Sequence, residues 1–353
     1  MRLRSLLLLL ATTSLAACGA SSSEVAPADG EGGAAGAGGE AGGAGVGGAG
    51  GAAGAGSTAA IRIIVEPDGV KPNEIATAIR AAKRSVHMTM YLLTSTEVSD
   101  ALVSQHQAGV DVKVVLNQTF PQASTSNATS YQKLQSAGVP VTWGSSEFTY
   151  THEKALVIDA ATAWIMTMNA TVTSSSQNRE YLAVDEEPAH VAEAEALFAA
   201  DFTHGAFTPQ GELLVAPLNA RERLVALIGS ATRTLDVEGE EFSDTSIANA
   251  LVARAKAGVA VRLVLATGSP PTSQQKAITS VKQAGVSVVA TATPFIHSKA
   301  IVVDGARAYV GSENFTTGSL SYNRELGVIV EVPSEVAKVA SAIETDFQHG
   351  TAQ

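Results

Sequence analysis

The sequence repeats itself at a fixed distance along the chain, and this repetition restricts the folds that it can adopt. Three separate groups of residues recur 145 positions downstream of their first copy. They are His152 and His297, Asn178-Arg179-Glu180 and Asn323-Arg324-Glu325, and Asp201-Phe202 and Asp346-Phe347. So many matches at one offset indicate an internal duplication of a unit of about 145 residues.

Within each unit, short β-branched runs alternate with segments of helical character. The apolar run from Val110 to Leu116 follows a helical segment, Glu97 to Gln107, that ends at Gly109, and Val259 to Leu265 repeats this arrangement. Strands that alternate with helices favour α/β layering. We therefore predict two similar α/β halves, residues 60–205 and 206–353, each a mixed β-sheet flanked by helices. A pseudo-two-fold axis is expected to relate them.

The first 59 residues have a different character. Arg2 and Arg4 precede a short apolar run and a series of small residues, which predicts a signal peptide over residues 1–17. The Leu15-Ala-Ala-Cys18 sequence is similar to a bacterial lipobox, a resemblance that implies lipidation of Cys18. An ordinary secretory signal with an incidental cysteine is the alternative. Residues 18–59 are almost entirely Gly, Ala and Ser, which predicts a flexible linker.

These features predict an exported protein that a lipid anchor holds in the cell envelope, with the outer membrane favoured over the inner one. Since Cys18 is the only cysteine, no disulfide and no cysteine-based zinc site can form within the chain. The formal net charge of -11 argues against a general affinity for polyanions. Binding to nucleic acid would therefore require Lys and Arg residues concentrated in one groove.

Each unit contains one cluster of residues suited to phosphate chemistry. Lys154 follows His152 by two residues, and Lys299 follows His297 by the same distance. On a strand, such side chains share a face. A neutral imidazole can attack phosphorus, and an ammonium group pairs with a phosphoryl oxygen. Two halves facing each other could thus supply a nucleophile on one side and a proton donor on the other.

The full pattern, His-x-Lys-x4-Asp-x6-Gly-Ser-x-Asn in two copies, resembles the signature of the phospholipase D superfamily. The second copy matches it at every fixed position, whereas the first has Met166-Thr167 in place of Gly-Ser. The resemblance implies a phospholipase D-like fold and a mechanism without metal or cofactor, through a phosphohistidine. Since Met is larger than Gly, we expect Met166 to reduce the space beside the phosphate.

The resemblance also implies roles for individual residues. The catalytic residues would be His152, Lys154, Asp159, His297, Lys299 and Asp304, and the substrate-binding residues Asn169, Ser312, Asn314 and Thr167. Glu180 and Glu325 would orient the histidine across the site, with His152 as nucleophile and His297 as acid. The pseudo-symmetry leaves that last assignment open. From their positions alone, Asp159 and Asp304 could equally brace a turn, and Ser312 and Thr167 could build one.

Three functions fit the pattern. The first is a phospholipase D-type phosphoric diester hydrolase that acts on phospholipid head groups, and the second is a non-specific nuclease of the same family. The third is an envelope lipoprotein that binds phosphate groups without turnover, a hypothesis that rests on Met166. Because both motifs lie in one chain, we expect a monomer. The acidic run from Glu238 to Glu241 is interpreted as a solvated strand end or cleft lip rather than a metal site.

Overall fold

The computed structural model describes residues 60–67 and 73–353, which belong to one compact unit. The predicted signal peptide, Cys18 and the Gly/Ala-rich linker lie outside the described residues. Within the described ranges, no helix has the length and apolar character needed to cross a membrane.

The first half alternates strands and helices. Its elements are β1 (Ile61–Glu66), α1 (Glu74–Ala81), β2 (Ser85–Met90), α2 (Thr96–Gln107), β3 (Asp111–Leu116), α3 (Ala128–Ser136), β4 (Val141–Trp143), β5 (Lys154–Ile158), β6 (Thr162–Met166), α4 (Ser174–Gln177), β7 (Asn178–Asp185) and α5 (Pro188–Thr203). The predicted helix that ends at Gln107 and the strand that ends at Leu116 are α2 and β3. Ser95 caps α2 by accepting a hydrogen bond from the Val98 backbone N–H.

The second half repeats this order with two short strands added. Its elements are β8 (Leu214–Ala216), α6 (Ala220–Gly229), β9 (Thr234–Gly239), α7 (Thr245–Lys256), β10 (Ala260–Ala266), α8 (Thr272–Gln283), β11 (Ser287–Thr291), β12 (Phe295–Ile296), β13 (Lys299–Val303), β14 (Arg307–Gly311), α9 (Thr317–Tyr322), β15 (Glu325–Val330), α10 (Pro333–His349) and β16 (Thr351–Ala352).

Each half builds one mixed sheet, and the strand orders of the two sheets correspond. The first sheet runs β1-β7-β6-β5-β2-β3-β4, and the second runs β8-β15-β14-β13-β9-β10-β11-β16. In both sheets the three helix-connected strands, β2 to β4 and β9 to β11, are parallel. The short strand β12 also pairs with β7 in parallel, while the remaining pairs are antiparallel. The prediction of two similar mixed sheets flanked by helices is therefore confirmed.

The hydrophobic core forms three layers. A central cluster contains residues from both sheets together with α5 and α10, so the two halves share it. Each sheet packs its other face against its own helices, α1 to α3 in the first half and α6 to α8 in the second. Along β13, Ala300 and Val302 face the central cluster, whereas Ile301 and Val303 face the helices, as the alternation of a strand requires.

Two buried ion pairs also join the halves, and they account for part of the repeated sequence. Arg179 on β7 binds the carboxylate of Asp346 on α10, with N–O distances of 2.5 and 2.9 Å. Its counterpart, Arg324, lies 3.1 Å from Asp201 on α5. Each half thus supplies an arginine to a helix of the other half.

Candidate active site

Each motif histidine lies just before a central strand of its own half, in a segment that pairs with the other half. Before His297, the short strand β12 pairs with β7. Before His152, Thr151 forms an isolated bridge with Arg324, and the His152 backbone N–H donates to the Arg324 carbonyl at 2.9 Å. These backbone contacts place each histidine next to the start of a strand of the opposite half, β7 for His297 and β15 for His152.

Arg179 and Arg324 are each followed by a buried glutamate, Glu180 and Glu325. Each glutamate contacts the histidine of the other half. Nδ1 of His152 lies 2.8 Å from Oε2 of Glu325. Nδ1 of His297 lies 2.8 Å from Oε1 of Glu180, at an angle less favourable for a hydrogen bond. Glu180 and Glu325 are thus placed as predicted. A carboxylate at Nδ1 directs the chemically active position of each ring to Nε2.

Hydroxyl and amide groups hold the two glutamates in turn. Thr167 donates to Glu180 at 2.5 Å, and Ser312 donates to Glu325 at 2.7 Å. Ser319 also donates to Glu325. Thr167 and Ser312 are fully buried, and their hydroxyls position the two glutamates, a role that the sequence did not predict. Their predicted contact with substrate stays a prediction. Although burial alone would raise the pKa of Glu180 and Glu325, the histidine beside each carboxyl lowers it.

The two lysines are buried beside the histidines, but their surroundings differ. The ammonium group of each lysine donates to the backbone carbonyl of the histidine two residues earlier. Burial lowers the pKa of Lys154 to about 7. Burial also opposes the charge on Lys299, yet the carboxylates of Glu240 and Glu180 outweigh it and raise that pKa. At neutral pH Lys299 is therefore charged, whereas Lys154 is close to titration.

His152 is buried, and burial lowers its pKa to about 4 despite the neighbouring Glu325. The ring is therefore neutral at physiological pH, with Nδ1 protonated toward Glu325 and a lone pair on Nε2. Asn169 and Asn314 are less than one-tenth exposed, and their amide oxygens have no hydrogen-bond partner among the described residues. Their predicted contact with substrate stays a prediction.

The structure does not bring Asp159 and Asp304 to the histidines. Asp159 follows β5 at the end opposite to His152, and its carboxylate accepts hydrogen bonds from the backbone N–H groups of residues 83–85. Asp304 accepts from Thr232, Arg233 and Thr234 in the same way. The prediction that these aspartates are catalytic is corrected: both brace the turn after the motif strand, where each has a positive φ.

Asp304→Ala is expected to lower the free energy of unfolding by about 1–2 kcal/mol, because three backbone donors and the Thr232 hydroxyl lose their acceptor near the surface. We expect kcat/KM of the folded variant to stay within about threefold of wild type. Urea denaturation and a phosphodiesterase assay measure the two effects, with Asp159→Ala as the matched variant. A variant of unchanged stability that lost activity about 100-fold would restore the catalytic role.

Met166 does not lie beside the phosphate position. Its side chain is fully buried in the cluster between the first sheet and its helices. In the second half, a Cβ at Gly311 would lie within 2.6 Å of Tyr309, Glu313 and Gly327. The two halves therefore fill the same core position with different groups, and the prediction that Met166 narrows the site is corrected.

The acidic run at the end of β9 is part of the site, which the sequence did not predict. Glu238 is fully buried, binds the Tyr181 and Ser298 hydroxyls, and burial raises its pKa to about 8. Glu240 lies 2.9 Å from the Lys299 ammonium and 3.7 Å from Nε2 of His297. Of the two interpretations of this run, the solvated strand end is therefore corrected, while a cleft lip is compatible with the position of Glu240 beside Lys299 and His297. The available signal was its position, since β9 pairs directly with the motif strand β13.

In residues 60–67 and 73–353, no group of three or more His, Cys, Asp or Glu side chains is arranged to hold a metal ion. The arrangement that these residues do form consists of two imidazoles with free Nε2 positions, two buried lysines and two asparagine amides. Such groups can attack a phosphodiester, protonate its leaving group and stabilise charge on its oxygens.

The chain matches known proteins over both halves. The family model described as "Cardiolipin synthase, PLD-like domain" matches residues 75–202 and 224–350. Cardiolipin synthase 1 of Bacillus cereus is 22% identical over 333 residues, which cover 79% of this chain and 65% of that protein. The minor cardiolipin synthase of Bacillus subtilis is 24% identical over 310 residues, covering 76% of this chain and 77% of that protein.

A solved structure with the same fold is that of phosphatidylserine synthase from Haemophilus influenzae. It superimposes with a TM-score of 0.63 at 13% sequence identity and covers 83% of this chain and 87% of that one. At this identity the likeness concerns the fold. The chain spans about two thirds of the length of the Bacillus cereus relative.

Proposed function

The chain belongs to the phospholipase D superfamily, with two copies of its domain, and on this premise we propose that it cleaves phospholipid phosphodiesters through a phosphohistidine without a metal ion. The observation that carries the proposal is the crossed pairing of His152 with Glu325 and of His297 with Glu180. It leaves two Nε2 atoms, one from each half, available for nucleophilic attack and proton transfer.

The proposed reaction has two displacements. In the first, Nε2 of His152 attacks phosphorus while His297 donates a proton to the leaving alcohol oxygen. In the second, water or another alcohol attacks the phosphohistidine, and His297 accepts its proton. Lys154, Lys299 and the amides of Asn169 and Asn314 would stabilise charge on the non-bridging oxygens.

The names of the relatives, the residues near His152 and the net charge favour a phospholipid as the substrate class. Two relatives that match more than three quarters of this chain bear the name cardiolipin synthase. The side chains next to His152 are aromatic: Tyr91 packs 4.4 Å from its ring, and Phe120 and Tyr150 pack around Tyr91. The net charge of -11 is unfavourable for a polyanion. The non-catalytic alternative depended on Met166, which is a core residue.

Head-group release from vesicles tests the proposal. The protein is incubated in EDTA with vesicles of phosphatidylcholine, phosphatidylethanolamine or phosphatidylglycerol, with and without glycerol as acceptor alcohol. We expect a released head group or an exchanged one. Absence of release from every phospholipid, together with cleavage of single-stranded DNA that weakens steeply with salt, would instead identify a nuclease. Absence of both activities would overturn the proposed chemistry.

We also propose that the chain is exported and lipid-anchored in the cell envelope, on the basis of residues 1–18. Labelling of the expressed protein with a radioactive fatty acid tests this. Wild type should carry the label and sediment with membranes, and Cys18→Ala should lose the label. A labelled Cys18→Ala variant, or an unlabelled wild type, would contradict the anchor.

The pH dependence of kcat/KM follows from two of the buried groups. Protonation of His152 below about pH 4 removes the nucleophile, so the rate falls on the acid side. Loss of the Lys154 charge above about pH 7 removes a phosphate contact, so the rate falls on the alkaline side. Lys154→Arg stays charged and should move the alkaline limb upward, whereas Lys299→Arg should not. An alkaline limb unchanged in Lys154→Arg would contradict this assignment.

A further inference from the structure

The two halves differ at one position that contacts the catalytic groups. Tyr91 is the first residue after β2, and Glu240 is the first residue after β9, the corresponding strand of the second half. The ring of Tyr91 lies 4.4 Å from that of His152 and 4.9 Å from the Lys154 ammonium. A pseudo-symmetric site thus has an aromatic ring on one side and a carboxylate on the other.

The carboxylate of Glu240 gives His297 an environment that His152 lacks. Glu180 lies 2.8 Å from Nδ1 of His297, and Glu240 lies 3.7 Å from its Nε2. Two carboxylates therefore flank the His297 ring, one near each ring nitrogen. His152 has one carboxylate, Glu325, at Nδ1, and the Tyr91 ring packs against its own ring. Burial lowers the pKa of His152 to about 4.

Glu240 is ionised at neutral pH. Burial opposes ionisation, but Lys299 and His297 together lower its pKa to about 2, so the group is a carboxylate at neutral pH. The charged groups around the His297 ring are Glu180 on β7, Glu240 and Glu241 after β9, and Lys299 on β13. Glu180 and Glu240 are carboxylates at neutral pH, whereas burial raises the pKa of Glu241 to about 7.

We infer that Glu240 is a positioning residue that makes His297 the proton donor and thereby leaves His152 as the nucleophile. The inference rests on the proposed function and deepens it. In the first displacement the bond from His152 Nε2 to phosphorus forms, the bond from phosphorus to the leaving oxygen breaks, and the proton on His297 Nε2 moves to that oxygen. In this role the Glu240 carboxylate, 3.7 Å from Nε2, acts on the proton there through its charge and not through a hydrogen bond.

Glu240→Gln tests this role, because it keeps the shape of the side chain and the acceptor for Lys299 but removes the charge. We expect kcat for a phosphodiester with an alkyl leaving group to fall about 10- to 100-fold. For a p-nitrophenyl phosphodiester, whose leaving group requires little protonation, the loss should be less than about threefold. Glu240→Asp should recover part of the alkyl activity. Tyr91→Phe, the matched variant, should change both rates by the same factor.

Peptide mapping of the intermediate completes the test. After an alkaline quench, mass spectrometry should locate the covalent phosphoryl adduct on His152 in wild type and in Glu240→Gln. Equal losses for the two leaving groups in Glu240→Gln, or an adduct on His297, would overturn the inference while the proposed function stands. A wild type that cleaves neither substrate and forms no adduct would instead overturn the proposed function.

Discussion

His152→Asn should lose phosphodiesterase turnover by at least about 10⁴-fold and form no covalent intermediate. An amide cannot attack phosphorus, and the remaining lysines and His297 can only bind the substrate and stabilise its charge. The substitution is close in shape and can still face Glu325, so the fold should be preserved. The measurements are kcat on a p-nitrophenyl phosphodiester and mass spectrometry of the quenched protein.

His297→Asn is the matched control for this prediction. It removes the proton donor but leaves the nucleophile, so turnover of an alkyl phosphodiester should fall about 10²- to 10⁴-fold. A p-nitrophenyl phosphodiester should still place its phosphoryl group on His152, where the intermediate accumulates because its breakdown also requires His297. If His152→Asn retained an adduct on His297, the roles of the two histidines would be the reverse of those proposed.

The general organisation of the chain was predictable because duplication leaves a direct trace. The recurrence of Asn178-Arg179-Glu180 at positions 323–325 indicated equivalent halves, and equivalent halves with one histidine each suggest a shared site. Resemblance to the superfamily then placed Glu180 and Glu325 opposite the histidines, where the structure has them. Sequence could not show the crossed arginine pairs, since nothing local links Arg179 to Asp346.

The position of Asp304 could not be read from its spacing alone. The resemblance implies a catalytic role beside His297, whereas the position of Asp304 alone also allows it to brace a turn, and an extended strand separates the two residues. Seven residues at ~3.3 Å each span on the order of 23 Å, which places the two side chains at opposite ends of β13. His297 and Asp304 are repeated together because His297 precedes β13 at the site, and Asp304 stabilises the turn at the other end of that strand.

The prediction for Met166 failed for a related reason. Successive side chains on a strand face opposite sides, so Met166 and Thr167 cannot both face the phosphate. Met166 faces the helices and Thr167 faces Glu180. Glu240 has no acidic counterpart in the first half, where Tyr91 occupies the equivalent position, so the features common to both halves do not identify it. Asymmetric chemistry requires a difference between them, and Glu240 is such a difference.

Arg179→Met is expected to lower the free energy of unfolding by about 3–5 kcal/mol, the second large effect. The arginine is buried, donates twice to Asp346, and donates once to the Glu66 carbonyl at 2.9 Å. Without it, a carboxylate that is 1% exposed loses its counter-ion at the junction of the two halves. Urea denaturation of the variant and of wild type measures the difference.

The double variant Arg179→Met with Asp346→Leu separates the cost of an unpaired charge from the value of the pair. If the unpaired carboxylate is the main cost, the double variant should recover most of the lost stability, because apolar residues of similar volume can fill a buried site. The corresponding pair, Arg324 and Asp201, provides the control. It makes one hydrogen bond at 3.1 Å where Arg179 makes two to its partner, so Arg324→Met should cost less. A loss below about 1 kcal/mol in Arg179→Met would show that the central hydrophobic cluster alone holds the halves together.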